Sequence, residues 1–348
     1  MKTADGKPEI RAILSGVGRV GRDVTRLLSA RPGYRVVAAY TRNAAFVGQD
    51  VGLLAGVRPL DVIVQSDRNK ALAQPADVLV VATTSFLREV AGDLRAGVER
   101  RLNVITTAEE ASFPWLADSS LADDLDRLAK ERAVSILGAG LNPGFIFDAL
   151  LLTATGISWN VERIHVRRVV NISQFSKTIQ RRLGIGFCCS EFETGVNSGL
   201  IRGHIGFPQT FSLVCQCLGR KLERIDKEFH PLIAETAYLS ERLAVRVGET
   251  AGFIQRTSAI VDGAPWITAE FIAHVDPGSI GLAAEDSISI EGYNSINLVI
   301  SPGCQPQRGA AAMLANCIPR LIEARPGFLT VADLAPPHAR LTSGHFHG

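Results

Sequence analysis

A doubly wound parallel α/β sheet, followed by a second α+β domain with a mostly antiparallel sheet, is the fold class this sequence predicts. Three observations carry it. Short apolar runs alternate with segments of helical spacing as far as Asn142. The first of these runs meets its helix through a turn punctuated by Gly16, Gly18 and Gly21. Beyond Asn142 the pattern shifts to longer runs in which polar and apolar residues alternate. Alternating strand and helix imply parallel strands with helical crossovers, whereas period-two runs describe a sheet with one solvated face.

The first element is the apolar strand Ile10-Arg-Ala-Ile-Leu-Ser15, which leads through Gly16-Val-Gly18-Arg19-Val20-Gly21 into an amphipathic helix. Val20, Val24, Leu27 and Leu28 form the helix's apolar face, and Pro32-Gly33 punctuates its end. In this context Gly16 permits the tight turn, Gly18 lets the backbone approach a pyrophosphate and Gly21 lets the helix pack on the strand. The free N–H groups at the helix amino end, around Arg19 and Val20, then face the phosphates. An accidental glycine-rich turn is the plain alternative. The agreement on both sides of the turn favours a Rossmann dinucleotide cradle.

The next strand, Tyr34–Tyr40, ends where an acidic side chain would bind the ribose 2′-hydroxyl of NAD. This sequence places Thr41-Arg42-Asn43 there. A guanidinium grips a 2′-phosphate and no carboxylate repels it, so Thr41 and Arg42 point to NADP, with NAD as the alternative. A solvated surface arginine is the competing explanation for Arg42.

Further strands are predicted at Asp61–Val64, Ala76–Thr83, Asn103–Thr107 and Ala133–Leu137. Helices are predicted at Ser85–Ala96 and Ser120–Arg132, the second capped by Ser119 or Ser120. Doubly wound sheets hold their ligands at the carboxyl ends of strands. Thr83-Thr84-Ser85 is placed to line the nicotinamide ribose, and Asn142-Pro143-Gly144-Phe145 closes the last of these strand ends. Between them lie Glu109 and Glu110, just past a buried strand. Two adjacent carboxylates repel, which raises one pKa toward the range useful to a base. The same pair would also suit a helix start, where acidic side chains complement the macrodipole, and the residues alone leave both readings open.

After Asn142 the strands expected are Glu162–Val170, Arg242–Val247, Ala251–Val261, Trp266–Val275 and Ile296–Ile300, with a helix from Phe207 to Leu218 ending at Gly219. A final helix, Gly309–Glu323, suggests a return to the first domain. The organisation expected is a cofactor domain over 1–142, a substrate and dimerisation domain over 143–302, and a returning segment over 303–348.

The 348 residues, 46% hydrophobic and 21% charged, describe an ordinary globular protein with a sizeable core. A net charge of +2, with no basic stripe, argues against nucleic acid as a partner. No signal-peptide core and no bilayer-spanning stretch is evident, so a cytoplasmic protein without a membrane partner is expected. The six cysteines, at 188, 189, 215, 217, 304 and 317, lack metal-site spacing and read as free, mostly buried thiols. Cys188-Cys189 reads as packing rather than redox chemistry. The histidines are dispersed, with His345 and His347 in a tail, and no metal is expected.

Together these motifs resemble the NAD(P)-dependent amine dehydrogenases related to 2,4-diaminopentanoate dehydrogenase, within the dihydrodipicolinate-reductase-like group. The resemblance rests on the glycine turn at 16–21, Asn103-Val-Ile-Thr-Thr-Ala-Glu-Glu110, Gly140-Leu-Asn-Pro-Gly-Phe145 and Gly203-His-Ile-Gly206. Asn316-Cys-Ile-Pro-Arg-Leu-Ile-Glu-Ala-Arg-Pro-Gly327 and Asp333-Leu-Ala-Pro-Pro337 complete it. It implies a Rossmann domain, a homodimer, and reversible oxidative deamination of a primary amine or reductive amination of a small ketone or aldehyde with ammonia. It also implies an essential carboxylate at Glu109, with Glu110 as the alternative, because forming an iminium from carbonyl and ammonia requires proton transfers. Phe145, Phe175, Phe187 and His204 are candidates for an apolar substrate pocket. The segment Asn171–Gly184 departs from the family pattern, and its Arg181-Arg182 suits either an anionic substrate or a solvated strand edge. Dihydrodipicolinate reduction and homoserine-dehydrogenase-like chemistry are alternatives whose characteristic residues are missing; a non-catalytic NADP-binding sensor is the alternative of a different class.

Overall fold

The computed structural model describes residues 9–175, 177–239 and 244–339, the Thr178 side chain excepted, so the His345 and His347 tail and the start of the expected 242–247 strand lie outside the described residues. The chain forms two compact units: one runs to Leu150 and resumes at Gln305, and the other spans Leu151–Cys304.

In the first unit, β1 (Ile10–Ser15), β2 (Tyr34–Tyr40), β3 (Val78–Val81), β4 (Asn103–Thr106) and β5 (Ser135–Gly138) form a wholly parallel sheet. A short sixth strand, Gly327–Leu329, pairs parallel to β5 and completes the order Gly327–Leu329, β5, β4, β3, β1, β2. The chain leaves β1 toward β2 on one side and later returns to β3 on the other. The order therefore reverses beside β1, and the crevice at the carboxyl ends of β1 and β3 is where this fold class binds ligands. The strands are apolar on both faces because helices cover both. Ile13, Leu79, Val81, Val104, Ile136 and Phe328 are all buried in one core cluster with the helix Leu87–Glu99. The C-terminal helix Pro306–Ile322 packs on Arg19–Ala30 and on β3, β4 and β5.

The second unit has a mixed six-stranded sheet, built from β6 (Arg163–Asn171), β7 (Arg224–Ile233), β10 (Thr250–Val261), β11 (Ala264–His274), β12 (Glu285–Glu291) and β13 (Ile296–Ile300). A separate small hairpin contains β8 (Tyr238–Leu239) and β9 (Ala244–Val245). The sheet order is β13-β12-β6-β11-β10-β7, antiparallel except for the central β6·β11 pair.

Several elements differ from expectation for identifiable reasons. Asp61–Val64 is no strand: it contributes bridges only, Asp50 to Ile63, with Gln65 pairing to Tyr40. The helix Ser119–Arg132 is capped by Asp118, whose carboxylate accepts from Leu121 N at 3.1 Å, and not by either serine. Arg181 and Arg182 lie on a helix, Lys177–Arg182, rather than on a strand edge, and the Arg181 guanidinium sits 5.8 Å from the Phe187 ring centroid. Only Cys215 and Cys317 are buried; Cys188, Cys189 and Cys217 are exposed. Four strands escaped the pattern, two of them short, β8 and Gly327–Leu329. In β7 an edge position leaves charged residues exposed on both faces and admits Pro231. In β12 the buried alternation begins with Asp286, which pairs with buried Arg168 at 2.7 Å.

Candidate active site

The glycine turn behaves in three distinct ways. Gly16 has φ +90°, and a Cβ there would lie 2.6 Å from the Ala82 carbonyl oxygen. At Gly21 a Cβ would lie 2.1 Å from the Gly16 carbonyl oxygen, so the helix reaches the strand only without a side chain. A Cβ on Gly18 would meet nothing within 4 Å. The helix Arg19–Ala30 has Gly18 as N-cap, no side-chain cap and no acidic residue in its first turn. Exposed Arg19 stands there instead, a charge that works against the helix dipole until an anion arrives. Val20 beside it is half-buried. These features fit a dinucleotide phosphate.

A cleft of about 370 Å³ opens beside the turn, lined among others by Gly16, Thr41, Arg42, Arg68, Thr83 and Asp93. Thr41 is buried and its hydroxyl accepts from Asn43 N at 3.2 Å, which shapes the turn that presents exposed Arg42. Arg42 makes no side-chain hydrogen bond or ion pair among the described residues. Thr83 faces the cleft, whereas the Thr84 hydroxyl donates to Glu89 Oε2 at 2.6 Å. Sequence reasoning missed Ser66, Arg68 and Asn69 on the wall of this cleft. They arrive through the bridge between Tyr40 and Gln65, a tertiary pairing without a local signature.

At the carboxyl end of β4 the two glutamates part company. Both sit on the short turn Glu109–Ser112. That turn lies tight against β5, since a Cβ on Gly138 would lie 2.2 Å from the Ala111 carbonyl. Glu110 Oε2 accepts from Leu87 N at 2.8 Å, and Glu110 N donates to Ser85 O at 3.1 Å. Glu110 thus caps the helix Leu87–Glu99, whose own N-cap, Phe86, offers no acceptor. Removing that acceptor, as in Glu110→Ala, should cost about 1 kcal/mol of stability, seen as a drop in Tm, and lower kcat far less than the same change at Glu109.

The Glu109 carboxylate has a single hydrogen-bond partner among the described residues, Ser85 Oγ at 3.3 Å, while its backbone carbonyl accepts from Ser112 Oγ at 2.8 Å. Its residue keeps part of its surface open, yet packing around the carboxylate dominates: desolvation, opposed by the Ser85 hydrogen bond and reinforced by the Glu110 charge, raises its pKa to about 7. A carboxylate balanced near neutrality serves as base and as acid. In the loop after β5, Asn142 Oδ1 accepts from Phe147 N at 3.2 Å, while its buried Nδ2 has no partner among the described residues. Phe145 opens the following helical turn and is half-buried.

In the second unit, half-buried Phe175 closes a turn with Ile172 through an N–H···O bond of 3.0 Å. His204 stacks on Phe207 at 4.4 Å and meets Phe271 edge-on at 5.5 Å. The buried Gln255 side chain grips its backbone from both sides, at 2.7 Å and 3.0 Å. Its Nδ1 accepts from Gly206 N at 3.2 Å, so the ring is built into its own loop. Among the described residues, no group of three or more His, Cys, Asp and Glu side chains is placed to hold a metal, and no helix is long and apolar enough to cross a membrane.

A parallel sheet with a glycine cradle at its switch point, and a titratable carboxylate two strands along, defines an NAD(P)-binding oxidoreductase. Comparison with known proteins gives the class a family. The 2,4-diaminopentanoate dehydrogenase C-terminal domain family matches residues 145–346, and the dihydrodipicolinate reductase N-terminal family matches residues 10–107. The chain is 32% identical over 335 residues to 2,4-diaminopentanoate dehydrogenase of Acetoanaerobium sticklandii, with 95% of each chain covered. It is 23% identical to an amine dehydrogenase of Streptomyces virginiae, covering 93% of this chain and 96% of that one. The solved amine dehydrogenase of Mycobacterium smegmatis superposes with a TM-score of 0.82 at 26% identity, covering 95% and 97% of the two chains. The chain belongs to the 2,4-diaminopentanoate dehydrogenase family.

Proposed function

We propose that this protein is an NADP-dependent amine dehydrogenase that interconverts a primary amine with a small ketone or aldehyde and ammonia. The observation that carries the reading is Glu109, a carboxyl group with its pKa raised to about 7 just past the carboxyl end of β4, two strands from the glycine turn at the end of β1. Family membership supports amine chemistry, since the relatives are dehydrogenases named for amines.

The chemistry that a nicotinamide cofactor would supply when bound is hydride transfer to or from the substrate carbon. In the deaminating direction one protonated primary amine, one NADP⁺ and one water give one carbonyl compound, one ammonium ion, one NADPH and one proton. In the aminating direction, ionised Glu109 takes a proton from the nitrogen that has attacked the carbonyl, and protonated Glu109 returns one to the departing water. The same carboxylate stabilises the cationic iminium. Asn142 Nδ2, a buried donor without a partner among the described residues, suits the nicotinamide carboxamide, and Thr83 suits its ribose. Phe145, beside Asn142 in the chain, is proposed as an apolar contact for the substrate. Unpaired Arg42 supports NADP over NAD.

A panel of primary amines with NADP⁺, and of ketones and aldehydes with ammonia and NADPH, tests the reading through absorbance at the NADPH band. Turnover in at least one panel is expected, with NADH a poorer donor than NADPH. Silence across both panels overturns the amine-dehydrogenase reading.

A further inference from the structure

We propose that Arg68 is the second cation of a 2′-phosphate subsite and acts with Arg42 to select NADP. This inference rests on the NADP reading above and adds to it a residue that lies remote in sequence from the cradle and from the β2 end.

Backbone pairing delivers Arg68 to the site. Gln65 N donates to Ala39 O and Thr41 N donates to Gln65 O, both at 2.9 Å, so the segment 65–69 runs beside the end of β2. Ser66, Arg68 and Asn69 consequently line the same cleft as Thr41 and Arg42. The guanidinium is aimed rather than loose. Arg68 Nη1 donates to Gly92 O at 3.0 Å and to Asp93 Oδ1 at 3.4 Å, and the side chain keeps 41% of its surface exposed. Asp93 is itself buried and anchored: Oδ1 accepts from Tyr40 OH and Oδ2 from Ser15 Oγ, each at 3.1 Å. One carboxylate therefore ties the ends of β1 and β2 to one nitrogen of Arg68, and the rest of the planar fork remains for the cleft.

Two cations, Arg42 and Arg68, and two carboxylates, Asp93 and Glu89, line the cleft, so an anion would be recognised by the guanidinium forks and not by net charge. The two carboxylates are engaged, Asp93 with three donors and Glu89 with the Thr84 hydroxyl at 2.6 Å. Arg42 contributes a cation without a counter-ion among the described residues. A single exposed arginine gains little on a hydrated phosphate, whereas two forks converging on one dianion add charge-assisted hydrogen bonds that a ribose diol cannot accept in the same way. Arg68 arrives with part of its side-chain entropy already spent on Gly92 and Asp93, so less is lost on binding.

Calorimetric titration of the intact protein with 2′,5′-ADP and with 5′-AMP tests the assignment without reference to turnover. The wild-type protein should prefer 2′,5′-ADP. Arg68→Ala should weaken 2′,5′-ADP by about 10-fold to 100-fold, the equivalent of losing a charge-assisted hydrogen bond, and change 5′-AMP by about twofold or less. Arg68→Lys keeps a cation beside Asp93 and so serves if the alanine variant fails to fold; losing the fork, it should still weaken 2′,5′-ADP several-fold. A wild-type protein that does not discriminate the two nucleotides overturns the NADP reading, and this inference with it. Discrimination that persists undiminished in the folded Arg68 variant, yet disappears in Arg42→Ala, overturns the Arg68 assignment alone.

Discussion

Glu109→Gln should lower kcat by about 10²-fold to 10⁴-fold, the usual contribution of a positioned acid–base group, while NADPH still binds. The substitution is nearly isosteric and keeps an acceptor for the Ser85 hydroxyl, so a loss of this size reports proton transfer rather than unfolding. In the wild-type protein the pH dependence of kcat/KM should show a break near pH 7, where Glu109 titrates, and the break should vanish in whatever activity the variant retains. Stability should move the other way. The native carboxyl holds its proton up to about pH 7, whereas an unfolded glutamate releases it near 4.5. Between these values the native state binds more protons than the unfolded one, so the contribution of this group to stability falls as pH rises and is smallest above pH 7. Glutamine carries no charge to desolvate. The variant should therefore melt above the wild type at pH 8, with the difference shrinking toward pH 4. A Glu109→Gln variant with near-wild-type kcat, or one less stable than wild type at pH 8, would falsify the assignment.

The second large effect is expected at the cradle, where two neighbouring glycines should respond differently. Gly21→Ala places a methyl group 2.1 Å from a backbone oxygen that cannot swing away, so the helix Arg19–Ala30 must lift from β1. Overpacking of this kind costs about 1–3 kcal/mol, and the displaced helix end should weaken NADPH binding by at least tenfold. Gly18→Ala meets nothing in the protein. It should leave Tm within a degree or two of wild type and still weaken NADPH, because the methyl group occupies the space the phosphates approach. Melting curves and titration on both variants separate the cases. Equal NADPH affinity in wild type and Gly18→Ala would mean that the pyrophosphate does not approach at this turn.

Much of this architecture is legible in the sequence because its cause is local. The glycine spacing and the apolar runs of β1, β3 and β4 are each set by neighbours in the chain. Legibility fails where a residue's role depends on a distant partner. β12 reads as polar because Asp286 is buried only in the company of Arg168. Exposed edge strand β7 has no reason to alternate cleanly, and the Asp61–Val64 run is apolar but finds only bridge partners.

The same division runs through the site. The sequence by itself determined that a glycine turn of the dinucleotide-cradle type stands at Gly16, Gly18 and Gly21, that a cation rather than a carboxylate follows β2, and that two glutamates follow β4. Spacing along one chain suffices for each of these. Only the tertiary structure separated Glu110, which caps a helix begun more than twenty residues earlier, from Glu109, whose carboxylate is left with one hydroxyl among the described residues and a pKa of about 7. Only it set Arg68 beside Arg42, through a bridge between Tyr40 and Gln65 and an anchor at Asp93. Desolvation and hydrogen-bond competition are properties of what surrounds a side chain in space, and two adjacent residues of the same type differ in them only once the chain has folded.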